Sequence, residues 1–104
     1  MEFRFIYITA GSESEARAIA TVLVEERLAA CVNIIPGMRS IYHWGGKIEE
    51  TDETILIAKT IKDSVLALIG RVRELHSYDC PCVASLSIED GNPEYLDWLA
   101  RETA

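Results

Sequence analysis

The densest group of reactive side chains is the sequence HSYDCPC at residues 76–82, which holds His76, Tyr78, Cys80 and Cys82. Imidazole and thiolate are the usual protein ligands of zinc and copper. If the stretch is extended, the two cysteines point to the same side and suit a soft ion such as Cu(I). Two thiolates alone are an incomplete zinc site, because zinc prefers four ligands. His76, Cys80 and Cys82 are therefore the predicted metal ligands.

Length, charge and cysteine count limit the classes of function. The 104 residues predict one domain spanning 1–104. A net charge of −7 would repel a phosphate backbone, so we expect no nucleic-acid partner. No apolar run is long enough to cross a bilayer, and the N-terminus does not resemble a signal peptide, so we expect no membrane partner. Three cysteines, an odd number, favour reduced thiols in the cytoplasm.

The first quarter of the chain predicts a strand followed by a helix. Residues 3–9 are aromatic and β-branched, which is typical of a strand. Ser12 and Glu15 have the spacing of a helix capping box. Behind them, apolar residues recur at intervals of three and four, as expected of an amphipathic helix: Ala16, Ile19, Ala20, Leu23, Val24 and Leu28.

The centre of the chain predicts a long β-hairpin. Residues 31–35 indicate a strand that Pro36-Gly37 interrupts, which favours a sheet edge or a bulge. The strand resumes at 40–44, Gly45-Gly46 forms the turn, and 47–60 return antiparallel. Arms of about a dozen residues are at the upper end of usual strand lengths. We therefore expect the hairpin to overhang the sheet and to expose edge backbone that another chain can pair with.

The last part predicts a helix, a strand and a closing helix. Asp63 is the expected N-cap of the second helix, with an apolar stripe of Val65, Leu68, Ile69, Val72 and Leu75. Residues 83–89 alternate, and Ala84, Leu86 and Ile88 would form the buried face of a strand. Asn92-Pro93 begins the closing helix, whose inward residues would be Tyr95, Trp98 and Leu99. The order βαββαβ plus a helix predicts an α+β, ferredoxin-like sandwich.

Three long segments resemble the CutA family of divalent-cation tolerance proteins. They are LVEERLAACVNIIPGMRSIYHWGGKIEETDETILIAKT, then HSYDCP followed by an apolar strand, and GNPEYLDWL near the end. The resemblance implies a cytoplasmic homotrimer, not an enzyme, involved in tolerance of copper and other divalent metal ions. Copper or another divalent cation would be the bound ligand, with no certain cofactor. Since the family's shape is similar to that of trimeric PII-type signalling proteins, binding of a small anionic metabolite between subunits is the alternative.

The trimer that the resemblance implies would place a cleft between subunits. Its candidate residues are Tyr42, Trp44, Glu53, Lys59, His76 and Tyr78. Lys59 follows an apolar run and needs a carboxylate or a cleft, and Glu53, across the sheet or from a neighbouring chain, is its candidate partner. An enzyme using Lys59 and His76 as an acid–base pair, and a purely scaffolding trimer, are further alternatives. Cys82 departs from the family pattern, which has an acidic residue there.

Overall fold

A computed structural model, which describes residues 1–103, shows a four-stranded antiparallel sheet with helices packed against it. The sheet order is β2-β3-β1-β4, and every neighbouring pair is antiparallel. This order confirms the α+β, ferredoxin-like prediction. The elements are β1 (Phe3–Ala10), α1 (Glu13–Glu25), β2 (Cys31–Trp44), β3 (Lys47–Ile61), α2 (Val65–Leu75), β4 (Val83–Ile88) and α3 (Pro93–Glu102).

The hydrophobic core lies between one face of the sheet and helices α1 and α2. Strand alternation turns every second side chain toward the helices. Ile6 and Ile8 of β1, Leu56 of β3, Leu23 of α1 and Leu68 of α2 are all 0% exposed. The stripe predicted for α1 is confirmed for its buried members, whereas Val24 is exposed and Leu28 lies beyond the helix end.

The opposite face of the sheet is largely open in the single chain. Leu86 of β4 pairs with Phe5 of β1, and both are more than one-third exposed. The prediction that Ala84, Leu86 and Ile88 form a buried face is therefore wrong for one chain. Val83 instead packs on the core, because it pairs with Ile8. The alternating sequence pattern predicts which residues of β4 share a face, but it does not predict which face the helices cover.

The β2–β3 hairpin overhangs the sheet, as expected from its length. The pairing is irregular between Ile35 and Met38, and β2 lies at the sheet edge, so the interpretation of Pro36-Gly37 is confirmed. Gly45 and Gly46 have φ values of 59° and 79°, the left-handed conformation that a two-residue type I′ turn requires. Residues 41–52 are all exposed, and the molecule extends 45 Å along its long axis.

The two later helices begin differently. Asp63 lies inside a 3₁₀ turn, Lys62–Ser64, and α2 starts at Val65, so the N-cap prediction for Asp63 is wrong. The Lys62 N–H donates to the Glu2 carbonyl over 2.9 Å, which ties this turn to the start of β1. For α3 the predicted start is confirmed, because the Asn92 side chain accepts from the Glu94 N–H. Of its three predicted inward residues Leu99 is buried, whereas Tyr95 and Trp98 are each 37% exposed, so that part of the prediction is wrong for one chain. No helix within residues 1–103 has the length and apolar character needed to cross a bilayer.

Candidate functional site

The start of α1 is tied to the segment that follows α2 by Glu15. Ser12 caps the helix as predicted, accepting from the Glu15 N–H over 3.1 Å. The Glu15 carboxylate does not return to the cap. Instead it accepts from the Gly11 N–H at 3.3 Å and the Ser77 N–H at 2.7 Å. Burial opposes ionisation of Glu15, but the hydrogen bonds from Ser77 and Gly11 outweigh it and hold its pKa below the ordinary value.

His76 connects the end of α2 to β1. Its backbone N–H donates to the Val72 carbonyl, and its side chain is 0% exposed. The ring Nε2 lies 2.7 Å from the Thr9 carbonyl, and Nδ1 accepts from the Tyr78 N–H over 3.0 Å. Since a carbonyl only accepts and a backbone N–H only donates, these bonds define the neutral tautomer protonated on Nε2. Both ring nitrogens are therefore occupied within the chain.

Tyr78 joins this arrangement to the hairpin. Its hydroxyl donates to a Glu53 carboxylate oxygen at 3.0 Å, and its ring centroid lies 4.7 Å from that of His76. Burial, followed by the contact with Glu53, raises the pKa of Tyr78 to about 12. A Cβ on Gly11 would lie 3.1 Å from the Tyr78 hydroxyl oxygen, so glycine permits this approach. We call Gly11, Glu15, Glu53, His76 and Tyr78 the hairpin-base cluster.

An open polar depression lies beside the hairpin-base cluster. It is lined by Gly11, Ser12, Gly37, Arg39, Asp52, Glu53 and Thr54. Arg39 is held by two carboxylates of β3, Glu50 at 2.7 Å and Asp52 at 3.4 Å. The depression therefore presents charges of both signs at the point where the hairpin leaves the sheet.

Lys59 lies apart from the hairpin-base cluster. It lies six positions after Glu53 on β3, about 20 Å along the strand. Its ammonium group lies 5.8 Å from the Phe5 ring centroid and 6.0 Å from that of Tyr95. Within residues 1–103 no carboxylate forms an ion pair with it, so pairing with Glu53 inside one chain is wrong. Pairing with Glu53 of a neighbouring chain stays a prediction.

The acid–base pair of Lys59 and His76 is not assembled in a single chain either. His76 contacts Thr9, whereas Lys59 pairs with Phe5, four residues earlier on β1. That separation is about 13 Å along the strand, beyond direct proton transfer. The enzyme alternative therefore has no support from the geometry of one chain.

Tyr42 and Trp44 lie on the overhanging hairpin and are 40% and 68% exposed. The Tyr42 hydroxyl lies 3.4 Å from that of Thr51, and Trp44 pairs with Lys47 beside the turn. Of the six predicted pocket residues, the structure thus brings together Glu53, His76 and Tyr78, and leaves the other three apart in one chain.

Sequence reasoning missed Glu15 and Gly11 as members of the site. The sequence pattern predicts only a capping role for Glu15, because capping accounts fully for its spacing from Ser12. The signal that could have found its second contact is the shortness of the segment between α2 and β4. That segment must pass the end of β1, where α1 begins.

The three cysteines are free thiols, with Cys31 half-buried and Cys80 and Cys82 exposed. Among the described residues 1–103, no three or more histidine, cysteine, aspartate or glutamate side chains are grouped to hold a metal ion. His76 is not grouped with the two cysteines, since its ring is buried against Thr9 and Tyr78. A centre with three or more such ligands is therefore not assembled within residues 1–103 of one chain.

Comparison with known proteins assigns the family. The profile of the CutA1 divalent ion tolerance protein matches residues 4–102. The Divalent-cation tolerance protein CutA of Thermus thermophilus is 51% identical over 98 residues, covering 94% of this chain and 95% of that protein. The Protein CutA homolog of Xenopus laevis is 50% identical over 93 residues. The match covers 89% of this chain but only 62% of the Xenopus protein.

Solved structures agree with this assignment. The divalent cation tolerance protein of Thermus thermophilus superposes with a TM-score of 0.96 at 49% identity, covering 98% of this chain and 99% of that one. The Archaeoglobus fulgidus structure, described as a periplasmic divalent cation tolerance protein CutA, has a TM-score of 0.94 at 44% identity, covering 96% and 97%. With sequence and fold matching over nearly its whole length, this chain belongs to the CutA1 family of divalent ion tolerance proteins.

Proposed function

We propose that the protein is a cytoplasmic homotrimer that binds divalent metal ions, copper in particular, and contributes to metal-ion tolerance without being an enzyme. Family membership supports the tolerance role, since the Thermus relative carries that name. The main observation in favour of assembly is the exposed apolar surface of the β2–β3 hairpin. In a monomer it would expose Ile41, Trp44 and Ile48 at 68–70% each.

Exposed apolar surface and open strand edges favour assembly with further copies. The open sheet face adds Phe5, Ile35 and Leu86 to the apolar surface of the hairpin. Contiguous apolar surface of this kind marks interaction sites. Both outer strands, β2 and β4, also carry backbone groups without a partner strand on one side. A closed ring of three chains would cover these edges and leave none open to further pairing.

Metal binding is supported by charge and by ligand type. The net charge of −7 attracts cations, and Cys80 and Cys82 are free and exposed. Because one described chain groups fewer than three ligands, sites of higher coordination number would be completed by a neighbouring subunit.

The cytoplasmic location is supported by three free cysteines, which persist as thiols in a reducing compartment. The Archaeoglobus structure is described as periplasmic, which is the alternative. Fractionating cells that express the protein with its natural N-terminus tests the location. Recovery with periplasmic markers would contradict it.

Two measurements test the proposed function. Sedimentation should give the mass of a trimer of 11.6-kDa chains, and a monomer would contradict the assembly. Titration with Cu(I), Cu(II) and Zn(II) under matched conditions should show saturable binding of at least one of these ions. Absence of binding for all three would remove metal binding from the proposal.

Lys59 favours a second candidate, a PII-like trimer that binds a small anionic metabolite between subunits. It lies on β3 beside Phe5 and has no carboxylate partner within residues 1–103, so its charge is available to an anionic ligand. A ligand of the native state must raise the melting temperature, so a thermal-shift screen of anionic metabolites tests this candidate. If a hit shifts Lys59→Met as much as the parent protein, Lys59 is not its ligand.

A further inference from the structure

The segment that carries Cys80 and Cys82 is anchored on both sides. Before the thiols, the Ser77 N–H donates to Glu15 and the Tyr78 N–H to His76. After them, Val83 pairs with Ile8 in the sheet. The cysteines are nevertheless exposed and free. The fold thus holds two thiols on a short, fixed segment at the protein surface.

Pro81, between the cysteines, favours extended backbone at Cys80. Proline fixes its own φ near −65° and excludes the helical region for the preceding residue, here Cys80. Side chains two apart on extended backbone point to the same side, with Cα atoms about 6.5 Å apart. That distance is near the upper limit for a disulfide, whose sulfur atoms lie about 2.05 Å apart.

A bridging metal ion fits this spacing better than a disulfide. A metal–thiolate bond is about 2.3 Å long, so an ion in line between two thiolates separates the sulfurs by about 4.6 Å. The wider separation relieves the need for the two side chains to converge. The spacing of Cys80 and Cys82 therefore favours chelation over oxidation.

Ligand number and ligand type select the ion. The described residues offer no third ligand grouped with the thiols, and both ring nitrogens of His76 are engaged elsewhere. Zinc prefers four ligands, and magnesium and calcium prefer oxygen. Cu(I) is soft, prefers thiolate sulfur, and is stable with two ligands in line.

We propose that Cys80 and Cys82 form a two-coordinate site for Cu(I). This inference rests on the proposed metal-binding function and assigns its residues, its oxidation state and its coordination number. Each thiol loses its proton to solvent as a sulfur–copper bond forms, and neither copper nor sulfur changes oxidation state. The site lies wholly within one chain and needs no partner subunit.

Anaerobic competition against the Cu(I) chelator bicinchoninate tests the site in the full-length protein. The parent protein should remove a single Cu(I) per chain, with ultraviolet thiolate-to-copper absorption and X-ray absorption showing two sulfur neighbours. Cys80→Ser/Cys82→Ser should remove none at chelator concentrations that leave the parent saturated. Cys31→Ser, the matched control, should bind as the parent does, because Cys31 lies on β2.

A second variant shows whether loss of Cu(I) binding results from misfolding. Cys82→Glu places at position 82 the kind of acidic residue that the family pattern has there, and it should melt like the parent protein while losing Cu(I). Uptake of Cu(I) by either variant at the parent's affinity would overturn the inference. So would more than two sulfur neighbours, which would indicate a site shared between chains.

The outcomes separate this inference from the proposed function. If the variants bind Cu(I) as the parent does, or if the parent binds only Cu(II) or Zn(II), the thiol site is wrong and metal binding stands. If the parent binds none of the three ions, both are wrong.

Discussion

Strands β2 and β3 run through two different environments, and the contrast between them separates stability from function. In the second half of β3, from Thr54 to Thr60, burial alternates residue by residue against α1 and α2. In the first half, residues 47–52 are all exposed. Hydrogen bonding between the strands continues through both halves. The two halves differ in whether helices cover them. The overhanging half keeps its strand pairing but lacks a hydrophobic core.

The hairpin-base cluster lies at the boundary between these regions. Glu53 is the last residue of β3 before the core begins at Thr54, and Tyr78 holds it from the segment after α2. Next to Tyr78, His76 joins that segment to β1, and Glu15 joins it to α1. The cluster thus fixes where the hairpin leaves the sheet. That position sets the direction of the hairpin surface through which we propose that the chains assemble.

The largest effect should come from a charge on the hairpin. Ile48→Glu should reduce the sedimenting mass from that of the trimer to 11.6 kDa, because a carboxylate is costly to bury in an interface. Its circular dichroism should not change, since Ile48 is 70% exposed in the single chain. Leu66→Glu, at an 83% exposed site on α2, is the control and should stay trimeric. A trimeric Ile48→Glu variant would contradict the role of the hairpin.

A substitution in the hydrophobic core should instead lower the stability of the fold. Leu56 is 0% exposed, and Leu56→Ala should lower the free energy of unfolding by about 2–5 kcal/mol through lost burial and a cavity. Denaturant unfolding at a fixed chain concentration measures this change. Leu66→Ala, as the exposed control, should change it by less than about 0.5 kcal/mol. Equal losses in the two variants would contradict the division between core and surface.

Glu15 should matter more than its position on a helix surface suggests. Glu15→Ala should lower the free energy of unfolding at neutral pH by about 2 kcal/mol, since it leaves the Gly11 and Ser77 N–H groups without their carboxylate. Glu13, one turn from Arg17 on the same helix, is the matched control. Glu13→Ala should cost less than about 0.5 kcal/mol, because exposed ion pairs contribute little.

The same carboxylate should give an acid-dependent stability. Its pKa is lower in the folded chain than the ordinary value of 4.5, so the folded state binds its proton more weakly than the unfolded state. The stabilisation is therefore fully present above pH 4.5 and is lost as the pH falls through the folded pKa. The stability difference between the parent and Glu15→Gln should shrink over that range, and a constant difference would contradict the assignment.

The smallest effect should come from the bond that joins the cluster to the hairpin. Tyr78→Phe should lower the free energy of unfolding by about 1 kcal/mol through loss of the Glu53 contact. Gly11→Ala should destabilise the parent but not Tyr78→Phe, since the added Cβ would meet the hydroxyl oxygen at 3.1 Å. Additive effects of the two substitutions would show that this approach is not close in solution.

Local residue patterns predicted most of the fold. The Ser12 cap, the Gly45-Gly46 turn and the Asn92-Pro93 helix start depend on neighbours within four residues, and each is confirmed. The N-cap prediction for Asp63 is wrong because the Lys62 N–H donates to the carbonyl of Glu2, far away in sequence, which favours a 3₁₀ turn before α2. A local cap signal cannot anticipate a hydrogen bond to a residue at the start of a neighbouring strand that lies far away along the chain.

The candidate site was only half predictable. His76 and Tyr78 stood out because their side chains are reactive and lie close in sequence. Their partners Glu15 and Thr9 lie more than sixty residues away along the chain. The sequence predicts Lys59 in the same cleft, but one chain places it on another part of the sheet. Side-chain type identified the candidate residues, and the distances in the folded chain showed which of them lie together.

By itself, the sequence determined the element order, the hairpin and its overhang, because periodicity, turn residues and strand length are local properties. Only the tertiary structure decided which sheet face is covered, which tautomer His76 adopts, and that Glu53 contacts Tyr78 rather than Lys59. Those outcomes depend on contacts between segments far apart in the chain. Their geometry is set only when α1, β1, β3 and the segment after α2 pack together.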